Sequence, residues 1–396
     1  MGLNMSNLVH PLSSLVTSIP HDPMLDFLDK VDQTDDLIDL GFGDPDFAVD
    51  SSTKKAFKAS IDADHSHYAD GQGILALRQA AQTFYNHKYA CGIQTPEDIL
   101  VTVGAAEAIN LALLSLVEPG QGVMIIEPEY SQYSTSLCLA GAVKIPVDTA
   151  GSNFKLTTDL IRSSYEKAKS KQIDPIAIII NYPNNPTGRT YTQDELAALV
   201  QVFKELKLWV LSDEIYAEQT FIGRHVSLYP MLRDQTVLIT GLSKSHAMTG
   251  YRLGFAIAHG SVMQAMRKIQ DTLVTCVATP IQEAAAAALN DDPDAGLKTL
   301  PAYLRRVTKV TNALKNLGFD LSLPQGAFYV WAKIPASFGN DAFDFCLRLA
   351  KTARVQIFPG SIFSETSKNY VRISCAGSDA NLDLALQRIK AYLKNN

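Results

Sequence analysis

The 396-residue chain is 46% apolar, enough to bury a core of two or three domain-sized units. Its net charge of −6, without a basic run, excludes nucleic acid as the main partner and points to small-molecule chemistry. Five scattered cysteines without a CxxC pair, no basic-then-apolar leader and no long apolar run exclude a disulfide framework, export and membrane spanning, so a cytoplasmic protein is expected.

Residues 1–25 contain Pro11, Pro20 and Pro23 with little periodicity, and are expected to form an arm lying on other structure rather than elements of its own. The start, Met1 to Ser6, matches a short acylation pattern, but no basic patch supplies a second anchor. Residues 37–47 read as a short strand ending in a Gly-rich turn. Gly41 and Gly43 lack the third glycine and the following helix of a dinucleotide fingerprint. His65 and His67 have no acidic or cysteine partner at ligand spacing, so no metal is expected there. The polar loop carrying Tyr68 leads into a helical pattern of Leu75, Leu77, Ala80, Ala81 and Phe84.

Residues 99–103 predict a strand, after which Gly104, Ala105 and Ala106 open a helix of strong formers. Such a junction is either an ordinary turn or an anion seat, because the first amides of a helix are unpaired. A strand over 122–127 leads to Tyr130, a ring that either packs at a rim or stacks on a flat cofactor. A strand over 176–180 runs into a loop held extended by Pro183 and Pro186, able to fix the amide of Asn185. Thr192 and Glu195 then form a capping box. A buried strand over 208–212 puts Asp213 at its C-terminal end, where open α/β sheets bind ligands; a helix cap or a structural carboxylate is the other reading. Tyr216 follows three residues later.

Lys244 stands between apolar runs at 237–239 and 255–258, amid Gly241, Ser243, Ser245 and Ala247, with Arg252 eight residues on. It is either a loop lysine or an amine whose ammonium is disfavoured by burial and a nearby cation, free to form a Schiff base. An Ala-rich helix after Pro280 and a helical pattern over 300–317 lead to a smaller α+β unit. That unit has a strand over 325–331, a turn at 359–363, a strand over 370–374 carrying Arg372, and an amphipathic helix over 378–393. Arg372 reads as a surface ion-pair partner or a carboxylate anchor. Alternating strands and helices over 95–260 predict an α/β fold with a mainly parallel sheet flanked by helices.

Ser243-Lys244, then Thr249-Gly250-Tyr251-Arg252-Leu253-Gly254, resembles the cofactor-lysine segment of the fold-type I aminotransferases of class I and II, which depend on pyridoxal phosphate. Asp44 to Phe47, Tyr68, Asn181 to Gly188, Asp213 to Tyr216 and the Arg372 strand fit that family in its order, over nearly the whole chain. The resemblance is nearest to bacterial aromatic and aspartate-type members, including relatives acting on acetylated diaminopimelate. It implies an arm (1–25) over the site mouth, a small domain (26–48 with 290–396) and a large cofactor domain (49–289). Lys244 would bond to the cofactor and carry a proton, Asp213 would face the pyridine nitrogen, and Tyr216 and Asn185 would hydrogen-bond the phenolic oxygen. Tyr130 would stack on the ring. Gly104, Ala105, Ala106, Ser243 and Arg252 would hold the phosphate, joined by Tyr68 from the neighbouring subunit of a homodimer. Phe42, Gly43 and Asn185 would line the substrate pocket, with Arg372 forking the α-carboxylate.

Gly241 departs from the serine or threonine that many relatives carry three residues before the lysine, which leaves that phosphate contact to Ser243 or Thr240. The implied reaction is ping-pong transamination between an aromatic or aspartate-like L-amino acid and a 2-oxo acid. A β-lyase on cysteine-like substrates would use the same lysine and aspartate, but release pyruvate and ammonia. A cofactor-binding regulator without turnover is a further alternative, disfavoured by the full residue set and the lack of an appended helix-turn-helix domain. An apolar pocket would favour Phe, Tyr or Leu, and a second cation near Phe42 would favour Asp or Glu.

Overall fold

The computed structural model describes residues 10–395; the acylation pattern at Met1 to Ser6 lies outside them. The strands are β1 (Ile38–Asp39), β2 (Ile99–Thr102), β3 (Gly122–Glu127), β4 (Val143–Asp148), β5 (Pro175–Asn181), β6 (Trp209–Asp213), β7 (Thr236–Gly241), β8 (Gly254–Ile257), β9 (Tyr329–Lys333), β10 (Val355–Gln356), β11 (Phe358–Pro359) and β12 (Tyr370–Ser374). Seven of them form one sheet in the order β2-β8-β7-β6-β5-β3-β4, in which only β8 runs antiparallel to its neighbours.

β5 and β6 are almost wholly buried, as near-continuous apolar runs in a parallel sheet must be. Helices Gly104–Leu116 and Ser261–Leu273 cover one face, and Thr158–Ser170 and Gln193–Glu205 the other. Parallel register aligns the strand ends: Asn181 lies opposite Asp213, and Asp213 opposite Ile239. The loops leaving β5, β6 and β7 therefore open on one edge, the usual ligand edge of such a sheet.

A second core gathers Phe27, Leu40, Phe328, Trp331, Phe345, Phe358 and Leu382 around the antiparallel sheet β11-β12-β9, with β1 pairing β10 in parallel. The expected capping box is present at Thr192, and the final helix spans Asp379–Asn395. No helix of the described residues is long and apolar enough to cross a membrane.

Two expectations differ from the structure. The N-terminal segment does form elements, the short helices Ser14–Ser18 and Pro23–Leu28. Asp22 caps the second, accepting from the Met24 amide with Pro23 at the first helical position, and Phe27 is fully buried in the second core. The strand expected from 325 starts only at Tyr329. Ala327 adopts left-handed backbone and its amide donates 2.9 Å to the Gln219 carbonyl, so this stretch ties the two cores instead of joining the ladder.

Candidate functional site

The loops at that edge and the second core enclose a cavity of about 640 Å³. Lys244 lies in the turn between β7 and β8. Its Nζ donates 2.6 Å to the Gly43 carbonyl, and Gln219 donates 3.1 Å to the Lys244 carbonyl. Burial pushes the Lys244 amine down to about 8; Asp44 opposes this, and Arg372 and Arg252 reinforce it. The side chain is therefore mostly a cation at pH 7 and divides about evenly between cation and base near pH 8.

Asp213 ends β6 and faces the cavity. Its Oδ2 accepts 2.6 Å from the Tyr133 hydroxyl and its Oδ1 accepts 3.2 Å from the Ile215 amide. Burial still lifts the carboxyl to about 6. A buried carboxylate this poorly compensated favours a proton or a cationic N–H beside it.

The anion end is built from backbone. Gly104 has φ +73°, and a Cβ there would stand 2.7 Å from the Arg252 guanidinium. Glycine therefore lets Arg252, whose own φ is +51°, lie against the first turn of helix Gly104–Leu116, beside the cavity-lining Ala105, Ala106 and Ser243. Gly241 pairs with Gly254 across β7 and β8, and a Cβ on Gly241 would come within 3.0 Å of the Gly254 Cα and the Leu253 carbonyl. That close approach accounts for glycine where a hydroxyl residue was the family expectation.

Arg372 is buried between the rings of Tyr329 (4.4 Å to the centroid) and Phe363 (4.6 Å). It donates 2.8 Å to the Asn185 side-chain oxygen and also to the Gly41 carbonyl, while its Nε has no partner. No carboxylate pairs with it among the described residues. A buried guanidinium held only by neutral acceptors is a seat for an incoming carboxylate.

Thus Lys244, Asp213, Tyr216, Asn185, Arg252 and Arg372 share one cavity, with Phe42, Gly43, Tyr130, Ala105, Ala106 and Ser243 also on its wall. Gly104 lies behind that wall. Tyr68 is apart from it and 88% exposed. His65 bonds Glu283 at 2.8 Å. Two residues escaped sequence reasoning. Tyr133 holds Asp213; it lies in the first turn of helix Gln132–Leu139, three residues after the loop residue Tyr130, and that nearness was the available signal. Tyr329 bonds the Tyr216 hydroxyl at 2.9 Å through a non-local contact that leaves no local trace.

A buried amine of lowered basicity, a carboxylate suited to a ring N–H, and a helix start with an arginine for a dianion are the requirements of pyridoxal phosphate, and the residues present fit it. The arrangement defines a pyridoxal-phosphate enzyme. Residues 35–389 match the family model "Aminotransferase class I and II". The chain is 36% identical to a probable N-acetyl-LL-diaminopimelate aminotransferase of Bacillus subtilis, over 93% of this chain and 92% of that one. It is 33% identical to aromatic-amino-acid aminotransferase 2 of Thermococcus litoralis, over 90% and 92%. Among solved structures, an aspartate aminotransferase of Thermus thermophilus superposes with a TM-score of 0.89 at 29% identity, covering 96% of this chain and 99% of that one. An aromatic aminotransferase of Pyrococcus horikoshii gives 0.84 at 33%, covering 94% and 99%. The chain belongs to the class I and II aminotransferases, and it is a pyridoxal-phosphate-dependent transaminase with the fold-type I architecture.

Proposed function

We propose that this cavity transfers the amino group of L-amino acids with aromatic or other apolar side chains to a 2-oxo acid. The observation that carries the choice is the charge of the wall. Its cations are Lys244, Arg252 and Arg372, each with a role of its own, and the wall also includes Met24, Phe42, Ile109 and Phe363. Among the described residues, a side-chain carboxylate would find no further cation in the cavity and would meet Asp44 at the wall. Relatives are named for both aromatic amino acids and aspartate, so charge rather than kinship decides between them.

When bound, pyridoxal phosphate supplies a carbonyl carbon that accepts the amino group and a ring that takes up the electrons released at the substrate Cα. Asp213, oriented by Tyr133, would hold the ring nitrogen protonated. Tyr216 and Asn185 would hydrogen-bond the phenolic oxygen, and Tyr130 would pack on the ring. Ala105 and Ala106 amides, Gly104, Ser243 and Arg252 would hold the phosphate. Arg372, with Asn185, would fork the α-carboxylate over Gly43 and Phe42, and so choose which bond at Cα is broken. Lys244 Nζ, neutral for about half of the time near pH 8, would take the proton from Cα and would deliver it to the cofactor carbon that receives the amino group.

We further propose the division into arm (1–25), small domain (26–48 with 290–396) and large domain (49–289), and a cytoplasmic homodimer in which Tyr68 reaches the neighbouring site. The separate core that joins Phe27, Ile38 and Leu40 to residues of the last hundred, and the exposure of Tyr68, support this reading.

The test is a half-reaction: the cofactor-loaded protein is mixed with single amino acids, without an oxo acid, while its visible band is followed. Phenylalanine, tyrosine and leucine are expected to bleach the band and yield the matching 2-oxo acid in stoichiometric amount. Bleaching by aspartate or glutamate alone overturns the substrate reading. Pyruvate and ammonia with the band persisting indicate the lyase, and no response to any amino acid indicates the regulator.

A further inference from the structure

The two phenols at the back of the cavity raise a question that the roles above leave open. Tyr216 Oη and Tyr329 Oη are 2.9 Å apart, and both residues are buried. A phenol carries one proton and can accept besides. If Tyr216 donates to Tyr329, it has nothing left to donate elsewhere.

We infer that Tyr329 is a positioning residue of this transamination: its hydroxyl donates to Tyr216, which frees the Tyr216 proton for the cofactor's phenolic oxygen, and its ring fixes the plane of the Arg372 guanidinium. The inference rests on the reading of the site given above. Three features of the chain carry it. Gly43 makes room for the Tyr329 hydroxyl, since a side chain on Gly43 would overlap it. Tyr216 is the hydroxyl's one hydrogen-bond partner among the described residues. With the cofactor's phenolic oxygen beside Tyr216, the opposite arrangement would spend the Tyr216 proton on Tyr329 and leave that oxygen without a donor from Tyr216, whereas donation by Tyr329 lets both protons be used. The same ring lies over Arg372 at 4.4 Å, with Phe363 at 4.6 Å, so one residue supports both the phenolic end and the carboxylate end of the site.

The titratable groups facing the pair are Arg372 on β12, Tyr130 after β3, Tyr303 on helix Ala295–Asn316 and, on the same cavity wall, Lys244 and Asp213. Arg372 favours the phenolates, and burial, the largest influence on each phenol, opposes them. Both phenols therefore stay protonated near neutrality, as donors must.

The experiment titrates the visible band of the loaded enzyme with pH. A Tyr216 that donates well stabilises the deprotonated chromophore, so weakening it moves the midpoint up. In Tyr329→Phe the midpoint is expected to rise by about half to one pH unit, the size of one neutral hydrogen bond. In a Tyr216→Phe background the same change should add nothing, because Tyr329 acts on the oxygen only through Tyr216. Placing 3-fluorotyrosine at position 329, a stronger acid of nearly the same size, should move the midpoint down; this keeps the test open if the Phe variant folds poorly. Tyr329→Leu, which also removes the ring, should raise the KM for both amino acid and oxo acid several-fold beyond Tyr329→Phe. An unmoved midpoint in Tyr329→Phe, or an equal shift with Tyr216 already removed, overturns the inference. A wild-type protein that forms no visible band fails earlier, at the reading of the site.

Discussion

Asp213 and Lys244 are buried groups whose charged forms the fold disfavours, and each becomes useful only against a ligand. For Asp213 the folded value of about 6 lies above the ordinary 3.8. The folded state without cofactor therefore holds this proton more tightly than the unfolded chain. The stability it contributes is fully present below pH about 4 and is lost as pH rises through 6. Asp213→Asn keeps the shape and removes the charge. At pH 8 its cofactor-free form should be more stable than wild type, by up to about 3 kcal/mol for a shift of this size, and the difference should vanish below pH 4. Adding pyridoxal phosphate should reverse the order, because a ring N–H beside Asp213 turns an uncompensated carboxylate into a paired one. Urea melts at pH 4 and pH 8, with and without cofactor, test both halves. A variant less stable than wild type at pH 8 without cofactor would show that the carboxylate is already compensated there.

At the scale of elements, the anion end depends on two segments of the chain approaching more closely than side chains allow. Gly254 on β8 faces the start of helix Gly104–Leu116, and a Cβ there would lie 2.5 Å from the Gly104 carbonyl carbon and 2.6 Å from the Ala105 nitrogen. Both neighbours are backbone and cannot rotate away. Gly254→Ala should cost about 1–3 kcal/mol as overpacking and weaken cofactor binding by shifting the helix amides. Gly151→Ala, with nothing within 4 Å of the added carbon, should do neither. Thermal melts and cofactor titration of the pair decide it; equal behaviour would remove the packing argument. Such contacts also mark where the sequence stops being legible. The strands β5, β6 and β7, the capping box at Thr192 and the position of Asp213 at a strand end follow from local periodicity and cap chemistry, so they could be read directly. The helix Pro23–Leu28 has its cap in the sequence, but its reason to exist, Phe27 in a core made from the last hundred residues, is non-local. Tyr329 is hidden for the same cause: its value lies in Gly43, Tyr216 and Arg372, which the chain brings together from far apart. The late start of β9 follows from left-handed Ala327, a conformation that alanine does not advertise.

For the whole molecule, the placement of Tyr68 argues for a site completed by a second chain. The segment around it is anchored from both sides. His65 bonds Glu283 at 2.8 Å, Thr279 donates 3.2 Å to the His67 carbonyl, and Arg267 reaches Asp70 at 3.3 Å. Between these anchors the Tyr68 ring stands 88% exposed, with Ile61 and Leu273 also exposed on this chain. Fixing the backbone while presenting an aromatic hydroxyl outward costs ordering entropy with no return inside the chain, which a partner subunit would supply. If each site borrows Tyr68, two defective variants should repair one another. Lys244→Ala has no amine in its own site but lends an intact Tyr68. Tyr68→Phe keeps Lys244 but lends a ring without its hydroxyl, so its homodimer should bind cofactor more weakly. A heterodimer of the two contains one site with both residues intact and one with neither. In an equimolar mixture that exchanges subunits at random, half of the dimers are heterodimers with one intact site each, so about a quarter of all sites should regain wild-type cofactor affinity and turnover. Mixed samples that merely average the two parents would place Tyr68 in its own subunit's chemistry or outside it altogether, and a monomer by sedimentation would remove the shared site.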